Sequence, residues 1–291
     1  MKVLFSEKCL QYWQSGHPES PDRVKKTFDL LKRKNFDFLE PEPCSEKDLL
    51  LVHEKNYVET IKSGNFYDSD TPNLPEIFEY ARLSVGSAIK AMENALEGEK
   101  AFSLMRPPGH HAGRNGKALY APSLGFCYFN NVAIATKKAL NSVKKVAIID
   151  IDCHHGNGTQ DIFFDDKRVL YVSLHLNDFY PGTGRQTEKN CINFPLPFGV
   201  DEKTYFENFS LALKEVKKFN PDLIAVSAGF DGHKKDPLTM GGLGLNKESY
   251  RKIGESIARL EKPSFVVLEG GYGKEFPECV YEFLIGYSKK E

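Results

Sequence analysis

The sequence predicts an α/β fold with a parallel sheet covered on both faces. Three observations carry that prediction. Short apolar runs rich in β-branched residues recur at 2–5, 101–105, 146–151, 169–174, 223–227 and 265–268, and runs without polar alternation mark strands buried on both faces. Segments of helical length separate several of them, at 21–34, 78–96, 131–140, 203–219 and 247–260; strand–helix alternation implies a parallel sheet. Finally, four strands end in glycine-bearing segments that carry His, Asp or Tyr. Ligand sites in such sheets lie beyond the carboxyl ends of the strands.

In chain order, 64–75 (GNFYDSDTPNLP) is the most loop-like stretch and leads into the helix at 78–96. The strand at 101–105 runs into RPPGHHAG, with His110 and His111. The strand at 146–151 runs into DIDCHHGNG, with Asp150, Asp152 and His154. AGFDGH, with Asp231, follows the strand at 223–227, and EGGYG, with Tyr272, follows the strand at 265–268. Core packing does not explain four such endings on one sheet edge.

Composition narrows the function classes. At 291 residues the chain fits one large domain or two smaller ones. Lys and Arg total 39 against 40 Asp and Glu, a net charge of -1, which argues against direct nucleic-acid binding. No apolar run approaches the ~20 residues that span a bilayer, and the first residues carry no signal-peptide pattern. The six cysteines are scattered without a CxxC pair. That pattern suggests reduced thiols, hence a cytoplasmic protein outside membranes.

If extended, Asp150-Ile151-Asp152-Cys153-His154 puts two carboxylates and an imidazole on one face. Buried together, they demand a cation. Asp231, from another strand end, can complete a three-ligand set, which leaves a position open for water or substrate. Zn²⁺ suits such donors, with Fe²⁺ also allowed. The prolines and glycine before His110-His111 supply a sharp turn, and a neutral imidazole there suits a general base. In GGYG, Tyr272 suits a hydrogen-bond donor to a developing oxyanion. Phe126 and Tyr180, in GFCYFNN and FYPGTG, are weaker signals.

RPPGHHAG, GFCYFNN, DIDCHHGNG, SLH–FYPGTG, SAGFDGHKKDPL and EGGYG, preceded by HPESPDR, together resemble the histone deacetylase family over about 15–273. The resemblance implies a single arginase-like three-layer domain, spanning 1–291, around an eight-stranded, mostly parallel sheet. It implies a zinc-dependent hydrolase of acetyl-lysine or related acylated amines. Asp152, His154 and Asp231 are implied as zinc ligands. His111 is implied as general base and His110 as its electrostatic partner, oriented by Asp150. Tyr272 would hydrogen-bond the substrate carbonyl. Asn157 would face His111, where one branch of the family has Asp, and this departure matches the class II branch.

For substrate, the resemblance implies the Gly125 carbonyl as acceptor for the amide N–H, Phe126 and Tyr180 as tunnel walls, and Leu238 near the mouth. Asp70 matches an acid at the rim, and Arg23 a residue near the acetate exit path. A monovalent cation, K⁺ or Na⁺, is implied at Asp150, Asp152, His154, Ser173 and Leu174, and a second at Phe163, Asp166 and Val169. The partner would be an acetylated protein or a small acylated amine, and a homo-oligomer is allowed. Leu238, where acetylpolyamine enzymes carry an acid, leans the reading toward acyl-lysine. A small-molecule deacylase and an inactive acyl-lysine binder are the alternatives.

Overall fold

The computed structural model describes residues 1–289. Eight strands, β1 (Lys2–Leu4), β2 (Asp37–Leu39), β3 (Ala101–Ser103), β4 (Val146–Asp150), β5 (Val169–Leu176), β6 (Cys191–Leu196), β7 (Leu223–Ala228) and β8 (Ser264–Leu268), form one sheet. The order is β2-β1-β3-β8-β7-β4-β5-β6. Every neighbouring pair is parallel, so the sheet is parallel throughout where the expectation was mostly parallel.

The helices are α1 (Pro21–Arg33), α2 (Glu46–Leu49), α3 (Lys55–Ser63), α4 (Ile77–Leu96), α5 (Asn131–Ala139), α6 (Asn157–Phe163), α7 (Glu202–Phe219), α8 (Lys247–Ala258) and α9 (Phe276–Ser288). Their starts follow local chemistry. Pro21 opens α1, where its missing N–H costs nothing. The Asn130, Asp201 and Asn246 side chains each accept a backbone N–H from the first turn of α5, α7 and α8.

Alternation along each strand feeds two cores. Ala147 and Ile149 of β4 face α1, α7, α8 and α9, while Val146 and Ile148 face α3, α4, α5 and α6. Side chains of period two on a sheet covered on both faces require this division. Past the end of β4 the alternation persists, with Ile151 and Cys153 in the first of these cores. All six cysteines are buried and free. Among the described residues no helix is long and apolar enough to cross a membrane.

The elements beyond those read from sequence have identifiable causes. β6 contains Pro195, which argues against a central strand; β6 is an edge strand, where proline is tolerated. β2 is three residues long at the opposite edge. α6 (NGTQDIF) is almost wholly buried yet polar over most of its length, so it shows no apolar stripe. α9 packs its apolar residues into the same core as α8.

Candidate active site

Because all strands run parallel, their carboxyl ends share one edge. The four strands that end in His, Asp or Tyr segments are consecutive at the centre of the sheet, β3-β8-β7-β4. Adjacency is what brings GHH, EGGY, GFD and DID together.

Asp152 Oδ1 accepts the His154 N–H at 2.9 Å, and its Oδ2 accepts the Gly270 N–H at 2.8 Å. Asp231 Oδ1 accepts the Cys153 N–H at 2.9 Å. These bonds aim the remaining donor atoms at one another. His154 Nδ1 lies 3.0 Å from Asp152 Oδ1 and 2.9 Å from Asp231 Oδ2. One donor atom from each of Asp152, His154 and Asp231 falls within 4.8 Å of the others. Among the described residues Asp231 Oδ2 is buried and has no donor in hydrogen-bond geometry, although His154 Nδ1 lies beside it.

Two buried carboxylates converging on one imidazole nitrogen form a cation's coordination shell. Burial opposes a charge on His154, yet Asp231 and Asp152 hold it up at about 10. Burial and the Asp152 charge raise Asp231 to about 6. The residues therefore fit a divalent metal bound by one nitrogen and two carboxylates, with coordination positions left over. Gly270 is required here: a Cβ would run into the carboxylates of both Asp231 and Asp152.

The histidine pair divides its roles. His110 Nδ1–H donates to Asp150 Oδ2 at 3.0 Å, and Asp150 Oδ2 also accepts the Tyr171 hydroxyl at 2.9 Å. Burial works against a charged His110, but Asp150 and Asp152 outweigh it and hold it near about 10. His111 goes the other way: burial, then the charges on His110 and His154, push it well below its ordinary value. Environments that separate two pKa values in this way assign the neutral base.

Asn157 fixes the tautomer of that base. Its Nδ2 donates to the Ala118 carbonyl at 2.9 Å, so Oδ1 must face His111 Nδ1 at 2.7 Å. Nδ1 therefore carries the proton, and Nε2 presents its lone pair. Asn157→Asp places a charge beside Nδ1 and should raise the His111 pKa by ~1–3. The acid limb of the kcat/KM–pH profile then moves to higher pH by a comparable amount. An unmoved limb would separate Asn157 from the titrating base.

Tyr272 is held from three sides. Asp236 Oδ2 accepts the N–H groups of Tyr272 and Gly273 at 2.7 and 3.0 Å, while its Oδ1 accepts the Leu238 N–H at 3.0 Å. Arg23 stacks on the Tyr272 ring at 4.5 Å and donates to the carbonyls of Gly271 and Glu269 at 2.6 Å each. Phe126 stands edge-on to Tyr272 at 5.8 Å. Burial raises the phenol pKa well above its ordinary value, against the Arg23 charge, so the hydroxyl remains a donor.

The expected tunnel walls stand beside these groups. Tyr180 is edge-on to His111 at 5.1 Å and to His154 at 5.8 Å. Gly125 has φ +56°, and a Cβ on it would strike His111 and the Tyr180 hydroxyl; only glycine permits the approach. Asp70 lies beneath this turn. Its carboxylate accepts the Gly125 N–H at 3.0 Å and the hydroxyls of Ser123 and Thr71. Asp68 accepts the Leu124 N–H at 3.2 Å and pairs with Lys117 at 3.4 Å.

Of the residues expected to hold a first monovalent cation, Asp150 lies beneath His110, and Ser173 is paired with it across β4 and β5. The Ser173 hydroxyl bonds His175 Nδ1 at 2.8 Å. The Phe163, Asp166 and Val169 carbonyls, expected to hold a second, converge on the side-chain amide of Asn190.

Four charged residues that sequence reading left without a role support the site. Glu269 accepts the N–H groups of Gly109 and His110 at 2.7 and 3.1 Å, and the Ser227 hydroxyl at 3.0 Å. Burial lifts it to about 7. Glu19 bridges Arg106 and Arg23, and Asp236 anchors Tyr272. Each lies within a segment read for a different residue. For Glu269 and Arg106 a charge flanking a buried strand end was the available signal; Glu19 and Asp236 lie in loops and carried none.

A histone deacetylase domain matches residues 17–284. A probable deacetylase of Archaeoglobus fulgidus is 38% identical, covering 94% of this chain and 81% of the relative. A histone deacetylase-like amidohydrolase of Pseudomonas aeruginosa is 35% identical, covering 91% and 75%. The crystal structure of acetylpolyamine aminohydrolase from Burkholderia pseudomallei superposes with a TM-score of 0.89 at 26% identity, covering 99% of this chain and 98% of the other. With its aspartates, histidines and tyrosine brought to one sheet edge, the chain belongs to the histone deacetylase family and is an amidohydrolase of that family.

Proposed function

We propose that this enzyme removes acetyl or other acyl groups from the ε-amino group of lysine in proteins. The observation that supports the hydrolytic part is the convergence of three metal donors, Asp152, His154 and Asp231, with the neutral buried imidazole of His111 6.0 Å from the His154 ring; Tyr272, past the end of the neighbouring strand β8, would supply the protonated phenol. Asp152, His154 and Asp231 would hold Zn²⁺ or Fe²⁺, which supplies Lewis acidity to the amide carbonyl and lowers the pKa of water toward ~7.

His111 Nε2 takes the proton of the attacking water and delivers it to the leaving amine, with Asn157 holding Nδ1–H throughout. The Tyr272 hydroxyl donates to the oxyanion as the carbonyl carbon becomes tetrahedral. His110, kept charged by Asp150, stabilises the negative charge gathering beside it. The Gly125 carbonyl accepts the substrate N–H, and Phe126 and Tyr180 exclude water along the alkyl chain. Asp150, Ser173 and the carbonyls of Asp152, His154 and Leu174 would hold K⁺ or Na⁺, which offsets part of the local carboxylate charge. The Asp152 and His154 carbonyls accept no hydrogen bond from a described residue, in keeping with that role.

Acyl-lysine is favoured over acylpolyamines by what surrounds the mouth. Leu238 has no charge to attract a second ammonium. Asp68 and Asp70 are committed to the backbone of 124–125. Purified enzyme loaded with Zn²⁺ or Fe²⁺ should give higher kcat/KM on acetyl-lysine peptides than on acetylpolyamines. Leu238→Glu should narrow that ratio by ~10-fold, the value of one well-placed charge. A wild-type preference for polyamines would overturn the acyl-lysine reading, and no deacylation of either class would overturn the reaction.

A further inference from the structure

We infer that this chain has replaced the second monovalent cation of its fold with a donor of its own, the side-chain amide of Asn190. The amide sits among three backbone carbonyls where α6 turns into β5. Its Nδ2 lies 2.8 Å from the Phe163 oxygen, 3.3 Å from that of Asp166 and 2.9 Å from that of Val169. Three carbonyl dipoles pointed at one another need a positive centre between them. The NH₂ group supplies it, and an ion cannot share that space.

The amide's orientation is fixed independently. Asn190 Oδ1 accepts the Asp165 N–H at 2.7 Å, so the nitrogen must face the carbonyls. Asp165 adopts φ +62°, and Lys189, just before Asn190, adopts φ +56°. The two turns thus close on one side chain from opposite sides. Two of the carbonyls already accept one backbone bond each: Phe163 from Asp166 and Asp166 from Val169, both at 2.9 Å. The amide meets their remaining capacity.

The placement has a structural consequence. Asn190 immediately precedes edge strand β6, and its carbonyl accepts the Tyr171 N–H at 3.0 Å. The amide therefore ties β6 to the far end of α6, whose first residue is Asn157, the partner of His111. An ion in this place would make that tie depend on solution K⁺; a covalently attached amide does not.

Crystals soaked in Rb⁺ or Tl⁺ test the inference by anomalous scattering. Wild-type protein should show no peak among the Phe163, Asp166 and Val169 carbonyls. Asn190→Ala should show one, together with a Tm lowered by about 2–6 °C in choline buffer and largely restored by K⁺. Asn190→Asp, which keeps the shape and turns the donor into an acceptor, should show a larger K⁺ increment in Tm than wild type. A wild-type peak there, or crystals of Asn190→Ala that take up no ion at that place, would overturn it. Both readouts are independent of turnover.

Discussion

Tyr272→Phe lowers kcat/KM on an acetyl-lysine peptide by ~10²–10³-fold, and His111→Ala by ~10²–10⁴-fold, while both proteins retain their divalent metal. Tyr272→Phe is the cleaner of the two. The ring keeps its stacking on Arg23 and its edge contact with Phe126, and the backbone keeps its bonds to Asp236. Only the hydroxyl disappears, so the loss reads as one donor withdrawn from the oxyanion. His111→Ala removes the base without touching Asp152, His154 or Asp231, so metal content measured by mass spectrometry should stay at wild-type stoichiometry. Near-wild-type rates with full metal in either variant would remove that residue from the chemistry. Loss of metal would instead place it among the ligands.

How much of this was legible in the sequence differs by element. The central strands were, because burial on both faces writes itself as unbroken Val, Ile and Ala. The edges were not: Pro195 interrupts β6, and β2 is too short to show a pattern. Asp152, His154 and Asp231 were legible because a close spacing of acids and imidazoles at buried strand ends has little structural use. Their convergence was not derivable from spacing, since Asp152 and Asp231 lie past the ends of β4 and β7, which become neighbours only in the sheet order. Asn157 was expected to face His111, but the tautomer it imposes depends on the Ala118 carbonyl, which only the folded chain supplies. Asp70 shows the opposite case. It was expected at the rim, and its carboxylate is found holding up the turn that carries Gly125 and Phe126.

Arg106→Met should lower stability by about 3 kcal/mol, the cost of leaving a buried carboxylate without its main partner. Arg106 is fully buried and grips Glu19 with two bonds of 2.7 Å each, while Nη1 donates to the carbonyls of Cys9 and Tyr12 and the guanidinium stacks on the Tyr12 ring at 3.8 Å. Glu19 in turn accepts from Arg23 at 3.0 Å, so the pair underlies the residue that supports the Tyr272 loop. The pH dependence carries a definite sign. Burial alone would raise the Glu19 pKa, but Arg106 and then Arg23 bring it down from 4.5 to about 2. A carboxylate depressed on folding stabilises the native state above its unfolded pKa. That contribution, ~3 kcal/mol for a difference of this size, is lost as pH falls from about 4.5 to about 2. In Arg106→Met the main source of the depression is gone, so this acid-linked loss should shrink. Glu19→Met/Arg106→Met removes both members of the pair but leaves the buried Arg23 without its carboxylate, so it should recover only part of the stability at neutral pH, and kcat should stay low because Arg23 no longer has a fixed carboxylate behind it. Urea unfolding of the three proteins between pH 7 and pH 3 reads all of these effects. A double variant no more stable than Arg106→Met would mean that the Arg106–Glu19 charge pair is not what holds this corner of the site, and that the guanidinium packing and the Glu19–Arg23 pair do.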